Sequence, residues 1–127
     1  MVHRKFFVVL LLVTMAGVAL AQGKAALDGT VVVDDVSSSE ARFRVRRLVT
    51  GLEHPWSIAF LSEDEYLLTE RPGRLLLVGP ESIEEVSGLP NIAAIGQGGL
   101  LDVLPDPGFQ ENRRIYFTYS ARESSGY

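Results

Sequence analysis

Leu89-Pro90-Asn91-Ile92-Ala93-Ala94-Ile95-Gly96-Gln97-Gly98-Gly99-Leu100-Leu101-Asp102-Val103-Leu104-Pro105-Asp106-Pro107-Gly108-Phe109 sets three glycines around one amide side chain and follows them at once with an apolar run. Glycine takes positive φ without steric cost and lets backbone approach a ligand closely, so this spacing presents Gln97 from a loop. The alternative is a strand-entry turn whose glutamine is merely solvated. The apolar run is also the second copy of a pattern. Pro55-Trp56-Ser57-Ile58-Ala59-Phe60-Leu61 followed by Tyr66-Leu67-Leu68-Thr69-Glu70 lines up with Gly98-Gly99-Leu100-Leu101-Asp102-Val103-Leu104 followed by Ile115-Tyr116-Phe117-Thr118-Tyr119.

Between the two copies, short β-rich runs recur at 57–61, 66–70, 75–78 and, more weakly, 83–86. Glu63-Asp64-Glu65, Arg71-Pro72-Gly73 and Gly79-Pro80-Glu81 separate them. These are turn compositions with a mechanism, since proline presets φ and glycine accepts positive φ. Four strands joined by tight turns make one propeller blade, and a repeat of about 40–50 residues is the period of such blades. The expected fold class is therefore all-β, the first blade and part of the second of a β-propeller. No helix is expected after the N-terminal segment.

Composition is compatible with this and excludes some partners. The 127 residues are 46% hydrophobic and 22% charged, ordinary for a packed domain, and the net charge of −4 argues against nucleic acid as a partner. With no cysteine, the chain has no disulfides and depends on core packing and sheet closure.

The N-terminus reads as export machinery. His3, Arg4 and Lys5 form a basic start, Phe6 opens an apolar run reaching Val18, and Ala19-Leu20-Ala21 is a small-x-small cleavage site. The run is shorter than the ~20 residues of a spanning helix, so residues 1–21 are expected as a signal peptide rather than a stable membrane anchor, and the protein as periplasmic or secreted. Residues 22–41 read as a linker or lead-in with one short strand around Val31-Val32-Val33, ending in the polar Ser37-Ser38-Ser39-Glu40. Asp34 and Asp35 are expected to be solvated, without a partner cluster for a metal. Residues 42–127 are expected as the propeller portion. Its first strand alternates Phe43 and Val45 with Arg42, Arg44 and Arg46, which fits an edge strand with arginines on its wet face; an anion-binding strip is the alternative.

Two tempting catalytic readings are weak. His54, before Pro55 and Trp56, has no second histidine to share a metal with, so a structural role is expected, with Trp56 filling the space between blades. Glu70 and Arg71 read as an exposed ion pair on a hairpin end.

Five blocks in order resemble the glucose/sorbosone dehydrogenase family, soluble sugar dehydrogenases that use pyrroloquinoline quinone on a six-bladed propeller. They are Leu52-Glu53-His54-Pro55-Trp56; Ala59-Phe60-Leu61; Leu67-Leu68-Thr69-Glu70-Arg71-Pro72-Gly73-Arg74-Leu75; Gly96-Gln97-Gly98-Gly99-Leu100-Leu101-Asp102-Val103; and Arg114-Ile115-Tyr116-Phe117-Thr118-Tyr119-Ser120. Ser62-Glu63-Asp64 and Asp106-Pro107-Gly108-Phe109 depart from the family pattern, both in turns. The resemblance implies oxidation of an aldose or related sugar, with pyrroloquinoline quinone and calcium held by residues beyond Tyr127. It implies that Gln97 contacts the sugar and that no catalytic, cofactor or metal residue lies within this chain. It further implies an N-terminal portion of a longer protein, inactive alone and not a stable monomer. A calcium-dependent lactonase-type propeller and a non-catalytic binding propeller are the alternatives. For the export signal, mass spectrometry of secreted or periplasmic protein should show a mature start at Gln22; an intact Met1 terminus in a membrane fraction would overturn the leader reading.

Overall fold

The structure, a computed structural model, describes residues 9–12 and 25–122. In chain order the strands are β1 (Val9–Leu12), β2 (Ala26–Leu27), β3 (Val31–Ser37), β4 (Arg42–Arg46), β5 (Val49–Thr50), β6 (Pro55–Phe60), β7 (Tyr66–Glu70), β8 (Arg74–Val78), β9 (Ile83–Glu85), β10 (Leu100–Pro105) and β11 (Arg114–Tyr119). One helical turn, α1 (Phe109–Asn112), lies between β10 and β11.

The central unit is a four-stranded antiparallel sheet, β6-β7-β8-β9, with neighbours in chain order. Its turns follow the local chemistry read from the sequence. The N–H groups of Leu61 and Ser62 both reach the Glu65 carbonyl, at 2.8 and 3.2 Å. The Ser62 hydroxyl accepts from the Asp64 and Glu65 N–H groups, at 3.3 and 3.1 Å, so a serine side chain shapes this turn. Gly73, at φ 126°, closes the β7–β8 hairpin with its N–H on the Glu70 carbonyl.

Strand β7 is buried at every residue because both faces of the sheet are covered there. On one face Ala59, Leu67 and Leu75 pack against Leu100, Val103, Ile115 and Phe117 of β10 and β11. On the other, Tyr66, Leu68, Leu76 and Val78 pack with Val49, Leu52 and Ile83. Trp56, expected between blades, is 48% exposed; with Ile58 and Phe60 it forms a half-exposed β6 stripe, the Phe60 ring lying 5.8 Å from the Tyr66 ring.

The repeat seen in the sequence is a repeat of hydrogen bonding. Both β6 and β10 carry a register shift against the strand that follows. In each, a threonine hydroxyl meets the displaced backbone: Thr69 accepts from the Ser57 N–H at 3.0 Å and Thr118 from the Asp102 N–H at 3.1 Å. Thr69 also donates to the Leu101 carbonyl at 2.7 Å, a buried bond that joins the four-stranded sheet to β10.

The expectation of no helix fails at α1. Asp106 organises this corner: its carboxylate accepts from the Gly108 N–H and Asn112 Nδ2, both at 2.8 Å, and from the Tyr116 hydroxyl at 2.7 Å. Hydrogen bonds from Asn112 and then Tyr116 hold the Asp106 carboxyl below its ordinary range, and the bond to Asp106 pushes the Tyr116 phenol up. Arg113 ends the turn at φ 56°. A helix this short has no 3.6-residue period to read, so its existence rests on the side-chain bonds around Asp106.

The N-terminal strands also differ from expectation. Where one short strand was expected in 22–41, β2 and the seven-residue β3 form; β3 pairs with β4, and β2 with β5. The arginines of β4 do alternate with Phe43 and Val45, but the strand is exposed on both faces, Phe43 at 49% and Val45 at 42%. Alternation in sequence shows which residues share a face, and only packing shows whether that face is covered. Arg42 pairs with Asp35 and Arg47 with Asp28. Strand β1 adds to the outer edge of β11 in antiparallel register, Val9 opposite Phe117 and Leu12 opposite Arg114. Those four residues fall in the segment read as a leader, whose remaining residues lie outside the described ones.

Replacing Thr69 by valine keeps the shape but leaves the Ser57 N–H and Leu101 carbonyl without their hydroxyl partner. Chemical denaturation should show a loss of about 1–3 kcal/mol for Thr69→Val and a much smaller one for Thr69→Ser, which retains the hydroxyl.

Candidate functional site

Strand β7 ends in Thr69-Glu70 and the hairpin turn begins at Arg71, and these three residues reach three different parts of the molecule. Glu70 takes its partners within the buried end of the sheet, whereas Arg71, in the turn, bonds the glycine loop, so the two do not pair. This overturns the expected Glu70–Arg71 ion pair. Glu70 is fully buried and accepts from the Glu53 backbone N–H and from Arg74 Nε, its cross-strand partner in the β7–β8 register. The Glu70 carboxylate beside it raises the pKa of Arg74. The clue in sequence was the Glu-x-x-x-Arg spacing across a tight hairpin, where register brings ends of the turn opposite each other.

Arg71 turns the other way, toward the glycine loop. Its Nη1 donates to the Gly96 carbonyl at 2.8 Å and the Gly98 carbonyl at 3.3 Å. Its own backbone is held twice: the Arg71 N–H donates to the His54 carbonyl at 3.0 Å, and the Arg71 carbonyl accepts from Leu100 N–H at 3.0 Å. His54 is exposed and sits at φ 49°, contributing its backbone carbonyl to this corner.

The loop itself is a tight turn over Ile95-Gly96-Gln97-Gly98, closed by Gly98 N–H on the Ile95 carbonyl at 2.9 Å. Gly96 takes φ 58° while Gln97 does not take positive φ, the pattern of a turn whose first central residue must be glycine. Gln97 is therefore the one side chain at the tip. It is exposed, and its amide has no hydrogen-bond partner among the described residues. The base of the loop is tied down by Ala93 N–H on the Ser120 carbonyl at 2.7 Å and by Ser120 N–H on the Gly99 carbonyl at 2.9 Å. Gly99, at φ 149°, has the backbone of Arg71 so close that an added Cβ would stand 2.2 Å from the Arg71 carbonyl oxygen.

Two shallow clefts lie nearby, of about 320 Å³ along residues 85–92 and about 250 Å³ along residues 91–95 with Arg122. Gln97 lines neither of these and is exposed at the surface. Among the described residues, no three His, Cys, Asp or Glu side chains gather as a metal site, and no helix is long and apolar enough to cross a membrane.

A four-stranded antiparallel sheet stacked on the opening strands of a second, with the repeated threonine in each, is the first blade and part of the second of a six-bladed β-propeller. A family model described as Glucose / Sorbosone dehydrogenase matches residues 52–127, and the chain belongs to that family. The aldose sugar dehydrogenase YliI of Escherichia coli is 41% identical over 86 residues, covering 65% of this chain and 23% of that protein. A crystal structure of a glucose dehydrogenase matches with a TM-score of 0.55 at 48% identity, over 60% of this chain and 23% of the other. The pyrroloquinoline quinone-bound form of an aldose sugar dehydrogenase from Streptomyces coelicolor shares the fold, with a TM-score of 0.53 at 22% identity, over 80% of this chain and 27% of that one. The chain thus spans 22–27% of the length of the relatives it matches.

Two glycines between β9 and β10 differ in what they require. Gly99→Ala combines a backbone collision with a φ that side chains avoid and should destabilise by at least about 1–3 kcal/mol. Gly88→Ala, where nothing lies within 4 Å, carries only the φ strain. Denaturation midpoints of the two variants should rank in that order.

Proposed function

We propose that the protein containing this chain oxidises an aldose or related sugar, with pyrroloquinoline quinone as electron acceptor and calcium as its metal, and that this chain supplies Gln97 as a sugar contact. The observation that carries the reading is the unpartnered Gln97 amide at the tip of a turn anchored on three sides. Family membership supports it, as do relatives described as aldose sugar and glucose dehydrogenases.

An amide suits a neutral polyol, since it offers both donors and an acceptor and keeps them at any pH. Gln97 would bind and orient, not react: a sugar hydroxyl placed against the amide has its ring fixed relative to groups outside this chain. The quinone, when bound, supplies the two-electron acceptor that side chains lack. Among the described residues no three His, Cys, Asp or Glu side chains gather to hold calcium, and no residue here is assigned to the quinone. From the family resemblance, the base, quinone cradle and calcium ligands are proposed to lie beyond Tyr127, and the chain alone is proposed to be inactive. The cleavage pattern at Ala19-Leu20-Ala21 supports export of the protein to the periplasm or medium.

In the full-length enzyme, Gln97→Ala should lower kcat/KM for the sugar while leaving quinone affinity unchanged. One lost hydrogen bond to an uncharged substrate corresponds to about 0.5–1.5 kcal/mol, roughly threefold to tenfold. Unchanged kinetics would return Gln97 to a solvated turn.

A further inference from the structure

We propose that Arg71 is the positioning residue for the Gln97 turn, holding from the end of β7 the two carbonyls that flank the presented amide. For its catalytic consequence this rests on the reading of Gln97 as a sugar contact; the clamp itself stands on geometry.

A four-residue turn closed by one backbone bond can rotate as a unit about its two ends. Here those ends are Ala93, bonded to Ser120, and Leu100, bonded to the Arg71 carbonyl. Between them Ile95 N–H bonds the Ala93 carbonyl at 3.0 Å, Gly98 N–H bonds Ile95 and the Gly99 carbonyl accepts from Ser120, but among the described residues no backbone bond reaches the Gly96 or Gly98 carbonyl, and the glycines on each side of Gln97 resist rotation least of all residues. The guanidinium removes that freedom. One nitrogen, Nη1, meets Gly96 O and Gly98 O together, so both residues adjacent to Gln97 are fixed from a single point. The two N–H bonds of that nitrogen are held in fixed directions in the guanidinium plane, whereas an ammonium rotates freely and keeps its water more strongly.

The point of attachment is itself rigid. The Arg71 N–H and carbonyl are engaged by His54 and Leu100, and the preceding residues Thr69 and Glu70 are fully buried with their polar atoms bonded. Gly99 packs closely on the Arg71 backbone and Cγ, with no room for a side chain between them. Arg71 Nε and Nη2 have no acceptor among the described residues, so the side chain is not recruited by a competing carboxylate. Position of the Gln97 amide is in this way tied to the buried end of β7 rather than to the loop's own sequence.

The test separates the clamp from the substrate reading. In the full-length enzyme, Arg71→Met should raise amide hydrogen exchange at Gly98 by tenfold or more while Leu100, bonded to the Arg71 backbone, keeps its protection; Arg71→Lys should recover part of the Gly98 protection. Kinetically, Arg71→Met should raise KM for the sugar more than it lowers kcat. It should also be non-additive with Gln97→Ala, because an amide already displaced has little left to lose. Unchanged Gly98 exchange in Arg71→Met would overturn the clamp, as would loss of protection at Leu100 to the same degree, which marks general loosening of the blade. Where Gln97→Ala does lower kcat/KM, fully additive effects of the two substitutions would also overturn it. Should Gln97→Ala leave kinetics untouched while Gly98 exchange still rises in Arg71→Met, the sugar contact fails and the clamp survives.

Discussion

The end of β7 is the constraint on which the rest depends. Thr69 and Glu70 have no solvent exposure, and burial of an unmatched hydroxyl or carboxylate costs enough that each must find partners in one arrangement of the surrounding chain. Thr69 finds Ser57 and Leu101, which sets β6 and β10 against β7; Glu70 finds Glu53 and Arg74, which sets the loop before β6 and the start of β8. Arg71, the next residue and the first of the hairpin turn, meets the glycine turn. Three consecutive side chains thus fix the register of the first blade, its stacking on the second, and the turn that presents Gln97.

Polar groups do this more specifically than the apolar core could. Leu67, Leu75, Leu100 and Phe117 pack together through contacts that tolerate small slides, whereas the Thr69–Leu101 bond exists at one register only. The second threonine, Thr118, repeats the acceptor half of this role toward Asp102, so the propeller repeat is one of bonding geometry as well as of hydrophobic pattern. The apolar faces of β4 and β6 show the complementary case. Phe43, Val45, Ile58 and Phe60 are patterned for burial yet exposed here, in a chain that spans 22–27% of the length of its relatives.

Much of this was legible before any coordinates. The strand at 66–70 forms over those very residues, and those at 57–61, 75–78 and 83–86 shift by two residues or fewer, because strong β-formers bounded by turn residues leave little choice of boundary. The glycine bracket around Gln97 likewise announced a turn with a single presented side chain, and Gly96 and Gly99 do take positive φ. Hidden from a linear reading were the Glu70–Arg74 pair, mistaken for a contact between neighbours, the one-turn helix held by Asp106, and the open faces of β4.

Local sequence determined what local forces control: where strands start and stop, which residues share a face, where glycine must bend the chain, and the repeat that made a propeller the expected fold. Tertiary structure alone decided which faces are covered, which buried carboxylate meets which guanidinium, and that an arginine at a strand end holds a turn 25 residues further along. Those outcomes depend on elements meeting across the sheet and between sheets, where the energy of a polar group is set by the partners and solvent around it rather than by its neighbours in the chain.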